Sequence, residues 1–299
     1  MPANRQGSFR LFRIAGIDVS IHWSWFLVAA YELQYRKSDY SSPAWNVAEY
    51  LTLFGIVLLH EFGHALACRQ TGGKSDHITL WPLGGIAYVQ PPPRPGAVLW
   101  SIAAGPLVNV FLVPAFIGIH YALLQAGMLT DAPDLRRYLH MVALINLGLL
   151  IFNILPVYPL DGGQILRALL WFVIGRSKSL LAACSIGVIG CIAIIGCAIH
   201  LQSIWLGIIA VFVLQQCWIG FKQAKALSQM EKLPKHDGFA CPECGEPPRQ
   251  GEFWICKCGA RFDMFATNGV CPQCHAQHDK TVCTNCGQPS EFGKWKVAP

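Results

Sequence analysis

Three polar side chains interrupt an otherwise apolar run from Leu51 to Cys68, LTLFGIVLLHEFGHALAC. His60, Glu61 and His64 form H-E-x-x-H. On a helix, His60 and His64 lie at i and i+4, so both imidazoles leave one face a turn apart. That spacing lets two ring nitrogens hold one zinc ion, with Glu61 beside them as general base. An ionisable side chain at mid-membrane costs about 2.5–3.5 kcal/mol on insertion scales, so it calls for a compensating partner. A dication bound by the imidazoles is the simplest one. The bland alternative is a soluble core helix with two hydrogen-bonded histidines.

The surroundings favour a membrane. The chain is 53% hydrophobic and 13% charged, against about 25% charged in soluble globular chains. The net charge of +6 is modest and is better read through its placement than as a nucleic-acid signature. The first residues, MPANRQGSFRLFRIAG, hold Arg5, Arg10 and Arg13 but no long apolar run before a cleavage site. The first hydrophobic stretch is therefore expected to be a retained span.

Six spans are expected: Ile21 to Tyr35, the H-E-x-x-H helix, 97–125, Tyr138 to Leu155, Leu180 to His200 and Ser203 to Phe221. Residues 9–21 alternate loosely, as a short strand or an interfacial segment. HITLWPLGGIAYVQ reads as a β-hairpin turning at Gly84-Gly85. Pro156 and Pro159 break regular helix before Leu160-Asp161-Gly162-Gly163, and Gln164 restarts it. Asp161 with Gln164 could form a helix N-cap and capping box. Most loop cations (Arg69, Lys74, Arg94, Arg167, Arg176, Lys178, Lys222, Lys225) fall on one side with the N-terminal arginines. Arg36, Lys37, Arg136 and Arg137 fall on the other. The majority side should be cytoplasmic, with both termini inside.

Thirteen cysteines divide by position. Cys68, Cys184, Cys191, Cys197 and Cys217 lie in apolar stretches without ligand spacing and read as packing residues. The other eight come in pairs after a polar linker, 222–240. Taken in chain order, Cys241, Cys244, Cys256 and Cys258 would hold one structural zinc, and Cys271, Cys274, Cys283 and Cys286 a second. Disulfides are the alternative, disfavoured in a reducing cytoplasm. The tail, 241–299, lacks a basic run, so a protein partner is expected rather than nucleic acid. The expected fold is thus an α-helical polytopic membrane domain, 1–221, with a membrane-associated hairpin and a small double zinc-ribbon-like domain.

Three motifs in order resemble the site-2 protease family of intramembrane zinc metalloproteases: HEFGH at 60–64, GPLVN at 105–109 and NILPVYPLDGG at 153–163. WPLGGIAYV is similar to that family's membrane-associated hairpin, and IHWSWF to the first span of its six-span subgroup. The resemblance implies Asp161 as third zinc ligand, Glu61 as base, and transmembrane protein segments as substrates within the bilayer. Asn109 and Asn153 would support the site or hold substrate backbone, or simply bridge helices. Gly84 and Gly85 would lie by the substrate. The expected setting is a cell inner membrane. The resemblance does not reach the cysteine tail, which could bind a cytoplasmic regulatory protein. Two other functions fit fewer residues: a silent membrane scaffold, and a zinc transporter with His60, Glu61, His64 and Asp161 as its transit site.

Overall fold

A computed structural model describes residues 7–35, 40–81 and 84–297. Arg5, Arg36, Lys37 and the Pro82-Leu83 pair lie outside them. The chain opens with two strands, β1 (Ser8–Ile14) and β2 (Ile17–His22), joined at Ala15 and Gly16. Both turn residues have positive φ, 50° and 72°, the backbone twist that suits a two-residue hairpin. A 12-residue helix α1 (Ser24–Tyr35) follows, then α2 (Pro43–Gln70), β3 (Lys74–Trp81) and β4 (Gly84–Gln90). The strands form one sheet in the order β1-β2-β3-β4, with β2 and β3 parallel.

The sheet lies on α2 because its residues alternate. Ile17 and Val19, and Ile78 and Leu80, point to one face and are buried with Ala65 of α2. Arg69 at the end of α2 fastens the junction. Its guanidinium donates to Ala15 O and Gly16 O, and its Nε to Ser75 O at 2.9 Å.

Four long helices and one shorter one complete the membrane domain: α3 (Pro95–Gln125), α4 (Pro133–Ile154), α5 (Asp161–Ile174), α6 (Arg176–His200) and α7 (Ile204–Glu231). Among the described residues, five helices are long and apolar enough to cross a membrane: α2, α3, α4, α6 and α7. Of the expected sixth, Ile21 to Tyr35, the described helix α1 covers Ser24–Tyr35. Asp18 to Ile21 pair with β3 as a strand, and the described part of α1 is about 18 Å long at 1.5 Å per residue, against a hydrocarbon core of roughly 30 Å. The helices turn large apolar side chains outward, such as Phe111, Ile189 and Val211. Between α6 and α7 the backbones approach closely: a Cβ on Gly187 would meet Cys217 Sγ, and one on Gly220 would meet Cys184 Sγ.

The stretch 222–240, expected as a linker, belongs largely to its neighbours. α7 continues to Glu231. Lys235 then pairs with Arg249 and Phe239 with Lys296, so the tail's structure begins before Cys241. The tail holds two small hairpins, Trp254–Ile255 with Arg261–Phe262 and Lys280–Val282 with Pro289–Glu291. Phe262, Met264, Phe265, Phe292 and Trp295 are buried among its cysteines, giving the tail an aromatic core.

Asp263 is the polar centre of that domain. Oδ1 accepts from Phe265 N and Ala266 N at 3.0 and 3.2 Å; Oδ2 accepts from Gly251 N and His236 Nε2 at 2.7 and 2.8 Å. Partial burial pushes its carboxyl up, but these four donors outweigh it and hold the pKa below the usual carboxylate value. A lowered folded-state pKa stabilises above the unfolded value, and that stability is lost as pH falls through the folded one. Asp263→Ala strands these donors and should cost about 1–3 kcal/mol at neutral pH. Faster proteolysis and amide exchange of residues 249–266 in the full chain would register it; unchanged exchange would reject the assignment.

Candidate metal centre

His60, Glu61 and His64 lie in the interior of α2 and are each 6% exposed. α3 faces them with one stripe, Ser101, Gly105 and Asn109, spaced four residues apart. His64 Nδ1 donates to Ser101 O at 2.9 Å, and His60 Nδ1 bonds Asn109 Oδ1 at 2.6 Å. A carbonyl oxygen only accepts, so each Nδ1 carries the proton and each Nε2 keeps its lone pair. Gly105 sits between them because a Cβ there would come within 3.0 Å of both Nε2 atoms.

The third member arrives from α5. Asp161 Oδ2 is 3.0 Å from His60 Nε2 and 3.3 Å from His64 Nε2, and the two Nε2 atoms are 3.0 Å apart. Gly162 and Gly163 permit this. A Cβ on Gly162 would strike the backbone of Ile154 and Leu155, and one on Gly163 that of Val157 and Tyr158. The capping-box alternative does not form. Asp161 is the first helical residue, Leu160 the cap without a side-chain bond, and Gln164 Nε2 donates to Pro159 O at 3.0 Å.

Three acceptor atoms therefore converge where no proton lies between them. Placing one would make a buried imidazolium, whereas a cation satisfies all three. Ligands about 2.0–2.1 Å from a tetrahedral zinc stand about 3.3 Å from one another, which fits the observed triangle. Three protein ligands leave one position open, the pattern of a catalytic site. Glu61 stands outside the triangle, its Oε2 accepting from Ala87 N of β4 at 2.8 Å.

The eight tail thiols also converge, but not in chain order. Cys241, Cys244, Cys283 and Cys286 form one set; Cys256, Cys258, Cys271 and Cys274 form the other. The expected grouping of 241–258 and 271–286 is thus corrected. The outer pairs enclose the inner ones because Ala240 N bonds Trp295 O at 2.8 Å and Phe239 bridges to Lys296, bringing the tail's two ends together. Sulfur separations of 3.5–3.9 Å are far from a disulfide's 2.05 Å and near the roughly 3.8 Å edge of a zinc–thiolate tetrahedron.

The family model of peptidase family M50 matches residues 48–132 and 115–196, which contain every residue of the buried triangle. A zinc metalloprotease of Methanocaldococcus jannaschii is 34% identical over 77% of this chain. The chain belongs to peptidase family M50. It spans 64% of the length of that relative. Stage IV sporulation protein FB of Bacillus subtilis is 33% identical over 39% of this chain and 38% of its own length. A solved site-2 protease from Methanocaldococcus jannaschii superposes with a TM-score of 0.51 and 26% identity, over 72% of this chain and 95% of that one. The cysteine tail lies outside the stretch that the M50 model matches.

Against the M50 motifs, Asn109 takes a supporting place and Asn153 does not. Asn153 is half-buried near the end of α4, and its side chain makes no hydrogen bond among the described residues. Asn146, two turns earlier, accepts from Asn109 Nδ2 at 2.8 Å and donates to Asn109 O at 3.0 Å. Its signal was a lone amide in an apolar span. Gly84 and Gly85 are not a turn; they begin β4, opposite Trp81 and Leu80. Gly84 has φ 137° with open space at its Cβ position, whereas a Cβ on Gly85 would overlap the Glu61 side chain.

Two substitutions separate ligation from base placement. Asn109→Leu should weaken zinc binding about 10–100-fold, read by chelator competition. Gly85→Ala displaces Glu61 alone, so turnover should fall about 100-fold with zinc content unchanged. Zinc loss in Gly85→Ala, or normal turnover, would contradict the geometry.

Proposed function

We propose that this chain is an intramembrane zinc metalloendopeptidase that cuts transmembrane segments of other membrane proteins. The observation that carries this reading is the buried acceptor triangle of His60, His64 and Asp161 with Glu61 beside it. Zinc bound there would supply a Lewis acid and a water of lowered pKa, about 7. Glu61 takes that water's proton and returns it to the leaving amine. The Ala87 N–H holds the carboxylate in place between transfers. His60 and His64 keep their Nε2 atoms inward because Asn109 and Ser101 hold the other ring nitrogens.

A substrate helix must unwind, since its carbonyls are spent on its own hydrogen bonds. β4 is the last strand of the sheet, and a strand edge offers main-chain pairing to an extended segment. A cavity of about 510 Å³ adjoins it, lined by Trp25, Tyr50, Phe54, Trp81, Gly84, Leu149 and Leu160. Its aromatic and aliphatic lining suits the side chains of a membrane segment. The protein would sit in a cell inner membrane with both termini cytoplasmic, on the charge asymmetry of its loops.

The tail is read as a double zinc ribbon, two structural zincs with four thiolates each, and as a docking module for a cytoplasmic regulatory protein. Closed four-thiolate sites leave no position for catalysis.

Glu61→Gln should lower cleavage of a reconstituted transmembrane substrate about 10²–10⁴-fold while zinc content and folding stay near wild type. Residual full activity would remove Glu61 as base. For the tail, Cys283→Ser with Cys286→Ser should release the zinc that Cys241 and Cys244 also hold, leaving one tail zinc on the other four thiols. Cadmium substitution followed by NMR reports which thiols share a metal; a shared ion on Cys241 and Cys256 would refute the interleaved grouping.

A further inference from the structure

Two half-buried arginines on α5 and α6, Arg167 and Arg176, each hold an inaccessible guanidinium nitrogen, Nε, without a hydrogen bond. Their charges are close enough to repel each other. The groups acting on Arg167 are Tyr158 and Cys184, neither a carboxylate. Glu231 acts on Arg176 through its charge but makes no ion pair with it; its Oε1 accepts from Ser177 N at 3.3 Å and its Oε2 from the Ser177 hydroxyl. Both side chains are half-buried, and a half-buried pair of like charges is stabilised by an anion between them.

The surroundings specify which anion. Arg176 lies 5.3 Å over the Trp171 ring, and tryptophan concentrates at the membrane–water boundary. The next residues, Phe172, Val173 and Ile174, are 59%, 83% and 39% exposed. An apolar tip beside a basic pocket fits acyl chains next to a phosphate, not a phosphate free in water. Basic pockets between membrane helices on the cytoplasmic side hold anionic headgroups. A zwitterionic lipid brings its own cation to the phosphate and gains less. We infer that Arg167 and Arg176 together bind the phosphate of an anionic phospholipid in the cytoplasmic leaflet. The guanidinium forks match phosphate oxygens bidentately. Because Asp161 begins the helix that carries Arg167, the lipid would tie the middle of that helix to α6.

The test uses the full chain, delipidated in mild detergent and offered phosphatidylglycerol, phosphatidylcholine or inorganic phosphate. Lipid retained per chain is read by native mass spectrometry and thermal midpoint by scanning fluorimetry. Wild type should retain phosphatidylglycerol at least threefold over phosphatidylcholine and melt higher with it, and inorganic phosphate should give no such shift. The double variant Arg167→Gln, Arg176→Gln should lose the preference. Should that variant not fold, Arg176→Gln alone, at the more exposed first turn of α6, should reduce it. Equal retention of the two lipids by wild type overturns the proposal. So does an unchanged preference in whichever variant folds. Equal protection by inorganic phosphate overturns the assignment to a lipid.

Discussion

Three lone pairs face one another in the interior of a helical bundle, and the rest of the membrane domain is arranged around that fact. His60 Nε2, His64 Nε2 and Asp161 Oδ2 are mutually 3.0–3.3 Å apart. Without a cation this arrangement would repel itself in surroundings where charge is poorly screened. With one, it becomes the cohesive centre of α2, α3 and α5. Metal affinity and packing of the helices are therefore one quantity here, because a site that assembles only in the fold returns its binding energy to the fold.

Bringing those atoms together needs backbone where side chains would ordinarily be. Gly105 lets α3 lie against the two imidazoles, Gly63 lets α2 approach Ala104 O, and Gly162 and Gly163 let α5 begin against the end of α4. Gly85 does the same for Glu61 from the sheet side. A second layer then fixes orientation. Ser101 O and Asn109 Oδ1 set the imidazole tautomers, and Asn146 closes a reciprocal pair with Asn109; both asparagines are fully buried. An amide satisfied on both ends inside a span costs little, which is how this layer can exist in an apolar bundle.

What could be read from the sequence follows from how local each signal is. H-E-x-x-H needs only helical periodicity, and the paired cysteines need only short spacing, so both were legible. Asp161 lies 97 residues from His64; its local context suggested a cap, and only the resemblance made it a ligand. Asn153 drew attention because it stood beside the proline breaks, yet hydrogen bonding depends on which face of α4 meets α3, and that face carries Asn146. The pairing of the first strands depends on distant partners in a similar way. Ile17 to Ile21 alternates apolar residues with Asp18 and Ser20, and β3 offers it a strand partner 59 residues further along the chain. The cysteine sets were misgrouped because chain order says nothing about closure of the tail's two ends.

The arrangement of polar groups also bears on whether a metal is held or passed along. A transport route needs a succession of ligands separated by short steps. Beyond the triangle, α2 next offers buried polar side chains at Glu49 and Asn46. Glu49 is eleven residues from His60, about 16 Å along the helix, and accepts a hydrogen bond from the Tyr40 hydroxyl. From Leu53 to Leu59 the helix is wholly apolar, and Leu53, Phe54 and Val57 line the intervening cavity. A dication crossing that distance would shed its water with nothing to replace it, at a cost far above thermal energy. The extended peptide segment proposed above as substrate would meet no such cost, since its side chains can bury against such a wall. Along α2, then, no succession of ligands leads away from His60, His64 and Asp161 among the described residues.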